Sequence, residues 1–363
     1  MSHPFMRRLS AKSFLMLRER RKIHLEVYFF LNILWALVLL GAVFESLAPI
    51  TCPPGCLANT HPWFAAGNCH CTHFQVNCKK LNISSDDQMD AILEKLDGDL
   101  LVLHVVDCDL QNGLTRKALK DLTNLFMLRI EFTNLTTWDY EYVLPPSLQV
   151  LELRYTQLQT VNYFYFMLPR ALWTLPPSLA SLSIDHSSIF NLPLNLSWPQ
   201  LIDVNVIHLR ITHSNLTDVP PLTAFTQLAH LNLKYNNITT LPASLPPTLN
   251  YLDISNNQIT SLPQTVINGF LAKPFKIVLA SNPISTLDKS VIVHTILNDW
   301  VDIAETPLCN SLYNLLPTSQ HNRICYTTCA LYCPKAALGD FLPDKECYNV
   351  ACSFDLGDFS TVL

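Results

Sequence analysis

One pattern recurs along the middle of this chain, and nothing else in the sequence restricts its fold so tightly. Each copy reads Leu-x-x-Leu-x-Leu-x-x-Asn-x-Leu, with conservative exchanges. The clearest copies are Leu228-Leu231-Leu233-Asn236-Ile238 and Leu249-Leu252-Ile254-Asn257-Ile259. Others begin at Leu100, Leu125, Leu148, Leu179, Val206 and Pro274. Their Asn position holds Cys108, Thr133, Thr156, Ser187, Ser214 and Asn282. Successive starts lie 25, 23, 31, 27, 22, 21 and 25 residues apart. A helical protein would need apolar residues at i, i+3, i+4 and i+7, and the 24 prolines interrupt any such run.

The spacing has a physical reading. Leu-x-Leu is a short strand whose alternate side chains point to one side. The Asn slot falls where the chain leaves the strand and its backbone groups lose their ladder partners. A short side chain that bonds backbone suits that place: Asn best, then Thr, Ser or Cys. Repeats of this length and pattern mark a leucine-rich repeat solenoid. The expected fold is therefore an α/β repeat of about eight turns, with a parallel sheet on the concave face, and such solenoids serve as recognition surfaces. On the convex side Leu144-Pro145-Pro146-Ser147-Leu148, Leu175-Pro176-Pro177-Ser178-Leu179 and Leu245-Pro246-Pro247-Thr248-Leu249 are near copies. Pro-Pro is excluded from helix interiors, so these segments are expected to be extended or polyproline II. A helical turn is allowed around Arg116 to Leu122. The aromatic stretch from Tyr163-Phe164-Tyr165-Phe166 to Trp173 reads either as a protruding contact or as rings packed on the convex wall.

Residues 27 to 44 contain no charge, and Asn32 is their one strongly polar residue. Arg7, Arg8, Lys12, Arg18, Arg20, Arg21 and Lys22 precede them, and no Lys or Arg follows until Lys79. An apolar run of this length approaches what a bilayer requires. The charge step orients it with the N-terminus cytosolic and the repeats outside. A cleaved signal peptide is the rival, but the core is long for one and Pro49 follows the best small-residue site, Ala48. The expected organisation is a basic tail over 1–25, a transmembrane signal anchor over 26–45 and a Cys-rich cap over 46–98. Repeats follow over 99–286, a C-terminal cap over 287–326 and a Cys-rich module over 327–363.

All twelve cysteines lie between Cys52 and Cys352, beyond the apolar segment and towards the two ends of the repeats. Disulfides in an oxidising compartment follow. Cys69-x-Cys71 and Cys329-x3-Cys333 would suit zinc only in a reducing compartment. The N-terminal group has five members. Its sixth is either Cys108, or a thiol stays free, with Cys108 expected as a buried free thiol. Cys309 with Cys325 is expected in the C-terminal cap, alongside the stretch from Val291 to Trp300. Sequons occur at Asn82, Asn134, Asn195, Asn215 and Asn237. Three of them, Asn134, Asn215 and Asn237, directly follow an Asn slot and so should line one edge of the solenoid.

The order Cys52-x3-Cys56, then Cys69-x-Cys71-x6-Cys78, resembles the N-terminal cap of extracellular leucine-rich repeat proteins. The tail, Cys329-Ala-Leu-Tyr-Cys333, Gly339-Asp340, Asp344-Lys-Glu-Cys347, Cys352 and Asp355-Leu-Gly-Asp358, resembles a Notch-type (LNR) repeat. That module's third and sixth cysteines are replaced here by Pro343 and Phe359. Its usual pairing implies Cys329–Cys352 and Cys333–Cys347, with one bridge lost. The resemblance makes Asp355 and Asp358, then Asp340 and Asp344, candidate calcium ligands, with weak binding because the missing bridge would hold the last segment. Basic anchor, Cys-rich cap with His61-Pro62-Trp63-Phe64, Leu-Pro-Pro-Ser-Leu repeats and Notch-like tail together resemble oomycete cell-surface leucine-rich repeat proteins.

No enzyme constellation is present: there is no phosphate-binding glycine loop or nucleophile elbow, and the chain has only 8 glycines. A net charge of −5 argues against nucleic acid as partner. Calcium is the only cofactor suggested. The expected function is ligand recognition by a membrane-embedded receptor or co-receptor, its partner an extracellular protein or polysaccharide. The concave strand positions should present Arg129, Glu131, Phe132, Glu152, Arg154, Tyr155, Asp185 and His186. Arg210, His213, Lys234, Tyr235, Asp253 and Asn256 continue the surface. Arg and aromatic residues are common interface anchors. A structural or adhesive surface protein and a secreted inhibitor of a hydrolase are the alternatives.

Overall fold

The structure is a computed structural model. It describes residues 4–46, 52–60, 69–96, 98–138, 143–158, 170–172, 175–187, 205–219, 222, 225–298, 300–317, 321, 324–326, 328–330, 333–334, 345–348 and 352. The chain forms two compact units. One comprises Met1–Pro54 with Asn59–His70, the other Gly55–Ala58 with Cys71–Leu363.

The first unit is dominated by one helix, α1 (Pro4–Ser46). Its stretch His24–Phe44 has a mean hydropathy of 2.3, has no buried part and is long and apolar enough to cross a membrane. The polar Asn32 within it is satisfied by the helix itself: its Nδ2 donates to the Tyr28 carbonyl at 2.7 Å. A disulfide joins Cys52 to Cys69.

The second unit is a leucine-rich repeat solenoid. Its eleven-stranded sheet runs in sequence order: β1 (Cys56–Thr60), β2 (His70–Asn77), β3 (Val102–Val106), β4 (Met127–Glu131), β5 (Val150–Arg154), β6 (Ser181–Asp185), β7 (His208–Thr212), β8 (His230–Asn232), β9 (Tyr251–Asp253), β10 (Lys276–Val278) and β11 (Val301–Asp302). From β2 onward each strand pairs in parallel with the next. Strands β3 to β10 each start two residues after a copy of the sequence pattern. The register places Phe74, Leu103, Leu128, Leu151, Leu182, Leu209, Leu231, Leu252 and Ile277 opposite one another. All are buried. Each such side chain contributes about 1.5–3 kcal/mol of apolar burial.

The slot behind each strand carries a second ladder. Asn236 Nδ2 donates to the carbonyls of Ile211 and Leu233, while its Oδ1 accepts from the N–H of Ser214 and Leu216. Asn257 repeats this with Leu233, Ile254 and Ser255 carbonyls and the Ile238 N–H. Asn282 does so with Ile254 and Leu279 carbonyls and the Ile259 N–H. One amide thus ties two successive turns together and satisfies groups that would otherwise be buried without partners. In the earlier turns hydroxyls substitute, as in the 2.6 Å contact between Thr156 Oγ1 and Ser187 Oγ.

The convex Pro-Pro segments are not extended, contrary to the expectation for them. The carbonyls of Pro145, Pro176 and Pro246 accept from the N–H of Leu148, Leu179 and Leu249. Each segment is therefore a tight turn with proline at its second position, where a fixed φ is an advantage. The hydroxyls of Ser147, Ser178 and Thr248 bond the Leu125, Leu148 and Leu228 carbonyls of the preceding turn. The expected helical turn is α2 (Arg116–Leu119), capped by Thr115. Trp138 is fully buried and donates to the Leu114 carbonyl. Gly113, at φ 78°, leaves room for its indole: a Cβ there would lie 2.4 Å from the ring. The aromatic segment from Tyr163 lies largely outside the described residues.

Disulfides close both ends. Cys56 bonds Cys71 and Cys78 bonds Cys108. This corrects the reading of Cys108 as a free thiol: its slot lies against β2, with the two Cα atoms 4.9 Å apart. Cys69 and Cys71 are both disulfide-bonded, to Cys52 and Cys56. At the far end Cys309 bonds Cys325 beside α3 (Pro307–Leu312), and β11 extends the sheet by one more turn. In the tail β12 (Thr328–Ala330) pairs antiparallel with β13 (Cys333–Pro334), and Cys333 bonds Cys347. Cys352 is buried and disulfide-bonded. The side chain of its expected partner, Cys329, lies outside the described residues, as do Asp340, Asp344, Asp355 and Asp358.

Candidate functional site

The residue just before each Asn slot turns the chain out of the strand, and it does so with a left-handed backbone. Asp107, Phe132, Tyr155, His186, His213, Tyr235, Asn256, Ser281 and Glu305 all have φ between 48° and 57°. Asn, Asp and Gly enter that region easily, and bulky side chains do so at a cost of order 1–3 kcal/mol. Five successive turns nonetheless place a ring there. Parallel strands hold equivalent residues about 4.8 Å apart, close to stacking distance. Phe132 stacks on Tyr155 with centroids 4.7 Å apart, Tyr155 on His186 at 4.3 Å, His186 on His213 at 4.0 Å and His213 on Tyr235 at 4.3 Å. The result is an unbroken ladder of rings along one border of the sheet. Phe132, Tyr155 and Tyr235 are 52%, 40% and 46% exposed, so burial does not explain them.

One carboxylate anchors the middle of the ladder. Asp185 Oδ1 lies 3.2 Å from His213 Nδ1 and accepts from the Thr212 hydroxyl. Its Oδ2 lies 3.2 Å from His186 Nδ1 and 3.9 Å from Arg154 Nε. Burial alone would raise the Asp185 pKa, but the Thr212 hydrogen bond, the histidine contacts and the His186 charge outweigh it and hold the carboxyl below its usual range. His213 Nδ1 is hydrogen-bonded to Asp185, while His186 Nδ1 approaches it at ion-pair distance without hydrogen-bond geometry. The ligand atoms of Asp185, His186 and His213 lie within 4.8 Å of one another, a spacing compatible with a metal. The ring geometry opposes this use. Imidazoles donate to metals in their own plane, and two planes stacked 4.0 Å apart at 14° have lone pairs that do not converge on one ion.

The rest of the open sheet face divides by charge. In its first half the charges pair in a relay. Gln75 Nε2 donates to His104 Nδ1 at 3.2 Å, and His104 Nε2 lies 2.8 Å from Glu131 Oε1. Arg129 Nε meets Glu152 Oε2 at 2.6 Å, and Arg154 reaches Asp185. Burial lowers the His104 pKa, with Glu131 only partly offsetting it. In the second half the register sets Ser183, Arg210, Asn232 and Asp253 side by side. Arg210 and Lys234 make no ion pair among the described residues, and the buried Arg210 Nε has no hydrogen-bond partner among them. Beside them His208 stacks on His230 at 4.8 Å, and His230 lies 6.0 Å from Tyr251. Burial, then the His208 charge, lowers the His230 pKa to about 4.

Most of the expected surface residues therefore share one face. Arg129, Glu131, Phe132, Glu152, Arg154, Tyr155, His186, Arg210, His213, Lys234, Tyr235 and Asn256 retain exposure there. Asp185 is buried beneath the rings and acts by positioning them. Asp253 must be struck from the presented set. It is fully buried, its Oδ1 accepts from the Ser255 N–H and Oγ, and burial raises its pKa. Sequence reasoning missed Thr212, His208, His230 and Tyr251. The period of two would have found His208, which shares a face with Arg210. Of the sequons, Asn82, Asn215 and Asn237 are exposed. The Asn134 amide instead donates to Asp109 at 2.6 Å and accepts from the Leu110 N–H. Asn195 lies outside the described residues.

The leucine-rich repeat family profile matches residues 248–270. Among curated proteins the chain is similar to Toll-like receptor 9 of Felis catus, 33% identical over 143 residues, which are 37% of this chain and 13% of that protein. It is similar to Toll-like receptor 9 of Mus musculus, 35% identical over 131 residues, which are 34% of this chain and 12% of that protein. It is also similar to human lumican, 31% identical over 119 residues, which are 32% of this chain and 34% of lumican. The chain thus spans about an eighth of the length of these receptors and about a third of lumican. Among solved structures it is similar to InlP of Listeria monocytogenes, with 17% identity, a TM-score of 0.46 and coverage of 66% of this chain and 64% of that one. The repeat pattern and the parallel sheet make the fold a leucine-rich repeat solenoid, and the profile match falls within it.

Proposed function

We propose that the chain is a membrane-anchored extracellular recognition protein, a receptor or co-receptor, that binds its ligand on the open sheet face. The ring ladder carries this reading. Five bulky rings occupy a backbone conformation that disfavours them, outside the core, on a face that also holds charged groups. Strain kept across successive turns without burial as its return is a mark of function. The apolar stretch of α1, the disulfides at both ends of the repeats and the partial similarity to proteins named as receptors support the location. In this reading the N-terminus is cytosolic, and Asn215 and Asn237 carry glycans. The tail retains at most a weak calcium site at Asp355 and Asp358.

The test is a capture experiment with residues 46–363 on extracellular extract, comparing wild type with a Tyr155→Asn/Tyr235→Asn double variant. A ligand retained by wild type and lost by the variant is the expected result. Equal capture by both would remove the ladder from recognition.

A further inference from the structure

We infer that the second half of the sheet face is an oxyanion-binding site, centred on Arg210, that takes carboxylates of an acidic polypeptide segment. This rests on the recognition reading above and names the class of partner. The first observation is a buried donor without an acceptor: Arg210 Nε is shielded from solvent and has no partner among the described residues. Such a group costs free energy in the unbound protein and calls for an explanation. The residue itself is only half-buried, so a carboxylate can meet the outer part of the guanidinium with its two oxygens.

The second observation is the contrast in charge across one sheet. On β4 and β5 each arginine of the face already has its carboxylate: Arg129 has Glu152, and Arg154 has Asp185. Arg210 on β7 and Lys234, two residues past β8, have none within ion-pair distance among the described residues. The register neighbours of Arg210 are Ser183 and Asn232, both neutral. Two carboxylates lie near enough to matter. Asp185 is committed to Thr212, His186, His213 and Arg154. Asp253, which interacts electrostatically with Lys234, is fully buried and bonded to Ser255. The face therefore offers Arg210 with no acid of its own, and Lys234 with only the buried, Ser255-bonded Asp253 near it.

The ladder decides which anionic polymer fits. Sugars and nucleobases pack on aromatic faces. Here the faces of Tyr155, His186 and His213 are covered on both sides by neighbouring rings. With those faces taken, the charged groups Arg210 and Lys234 are what this half offers a ligand, which favours the carboxylates of a polypeptide over the planes of a sugar or base.

The test uses the full chain in detergent and a labelled peptide alternating Glu and Ser, with its Gln counterpart, a heparin oligosaccharide and single-stranded DNA as competing probes. The Glu peptide should bind at least about tenfold more tightly than the Gln peptide, the range of one charged hydrogen bond. Arg210→Gln should abolish that preference, and Arg210→Lys, which keeps the charge and loses the fork, should retain part of it. Lys120→Gln, paired with Asp121 away from the face, should change nothing. Thermal midpoints of the Arg210 variants verify folding, with Arg210→Lys as the milder substitution. Absence of Glu-peptide binding, equal binding of the Glu and Gln peptides, or no effect of Arg210→Gln would overturn the inference. So would tighter binding of heparin or DNA than of the Glu peptide. If the ring variant loses a captured ligand that Arg210→Gln retains, the recognition reading stands and only the oxyanion site falls.

Discussion

Two ladders run side by side through the solenoid, one residue apart in sequence, and they behave as opposites. The slot ladder, with Asn236, Asn257 and Asn282, is buried, and its amides bond the backbone of neighbouring turns. The ring ladder, with Phe132, Tyr155, His186, His213 and Tyr235, occupies the preceding position, and its three bulkiest members are exposed. Both exist because parallel strands bring equivalent residues of successive turns together. In the slot that repetition stabilises the coil. At the left-handed position it makes a continuous surface out of rings 22 to 31 positions apart in the chain. A repeat fold thus separates holding from presenting by a single residue.

The comparison breaks first if inward positions tolerate truncation. Leu233 is fully buried, and Leu233→Ala should cost about 2–5 kcal/mol through lost burial and a cavity. Chemical denaturation measures it, and a cost below about 1 kcal/mol would mean the side chain is not in the core. Asn257→Leu tests the slot itself. It keeps a similar volume but strands the Leu233 and Ile254 carbonyls and the Ile238 N–H. A loss of about 2–4 kcal/mol is expected, since buried unpaired groups cost about 1–3 kcal/mol each with partial relaxation.

How much of this was legible beforehand differs between the ladders. The slot was readable because one residue type with one job recurs at fixed spacing, so Asn236, Asn257 and Asn282 announced it. The strands followed at once, each two residues into its copy. The face was readable as a set, because Arg129, Glu152 and Arg210 alternate with the leucines. The stacking was not. Phe132, Tyr155, His186, His213 and Tyr235 share no residue type, and nothing in the pattern states that their position is left-handed. Asp253 was misplaced for a related reason: alternation puts it on the face, but its bonds to Ser255 fold it under its neighbours. The Pro-Pro segments failed because proline fixes φ without deciding between a turn and an extended run.

Acid provides a smaller perturbation that separates the face from the slot. The His230 ring has a pKa lowered to about 4 in the fold, chiefly by burial. The unfolded chain takes up that proton near pH 6.5. Between those values the unfolded state binds more protons, so stability falls as pH drops from about 6.5 towards 4 and levels off below. His73, His104, His208 and His213 are displaced in the same direction, each chiefly by burial, and add to the slope. His230→Gln should remove about 1 kcal/mol of the acid-dependent loss, discounted for partial exposure of the ring. Urea midpoints at pH 4 and pH 7 supply the readout. An unchanged difference between the two pH values would show that the ring is solvated in the folded chain.

The smallest expected effect on stability is also the sharpest test of the ring ladder. Tyr235 ends the stack, with His213 on one side 4.3 Å away, and the next turn places Asn256 at the same left-handed position. Tyr235→Asn therefore writes into one turn what its neighbour already has. The change forfeits one aromatic contact, worth about 0.5–1.5 kcal/mol when buried and less at this exposed site. It also replaces a bulky residue by one that enters the left-handed region readily, which returns a comparable amount. The two terms oppose, so the melting temperature should move by no more than about 2 °C. Ligand capture should fall severalfold, because the ring edge and its hydroxyl leave the surface. Leu233→Ala, two residues earlier and facing inward, should show the reverse order, with a large loss of stability. If Tyr235→Asn destabilises the chain as much as Leu233→Ala does, the rings are part of what holds the coil, and the division between holding and presenting does not exist at this position.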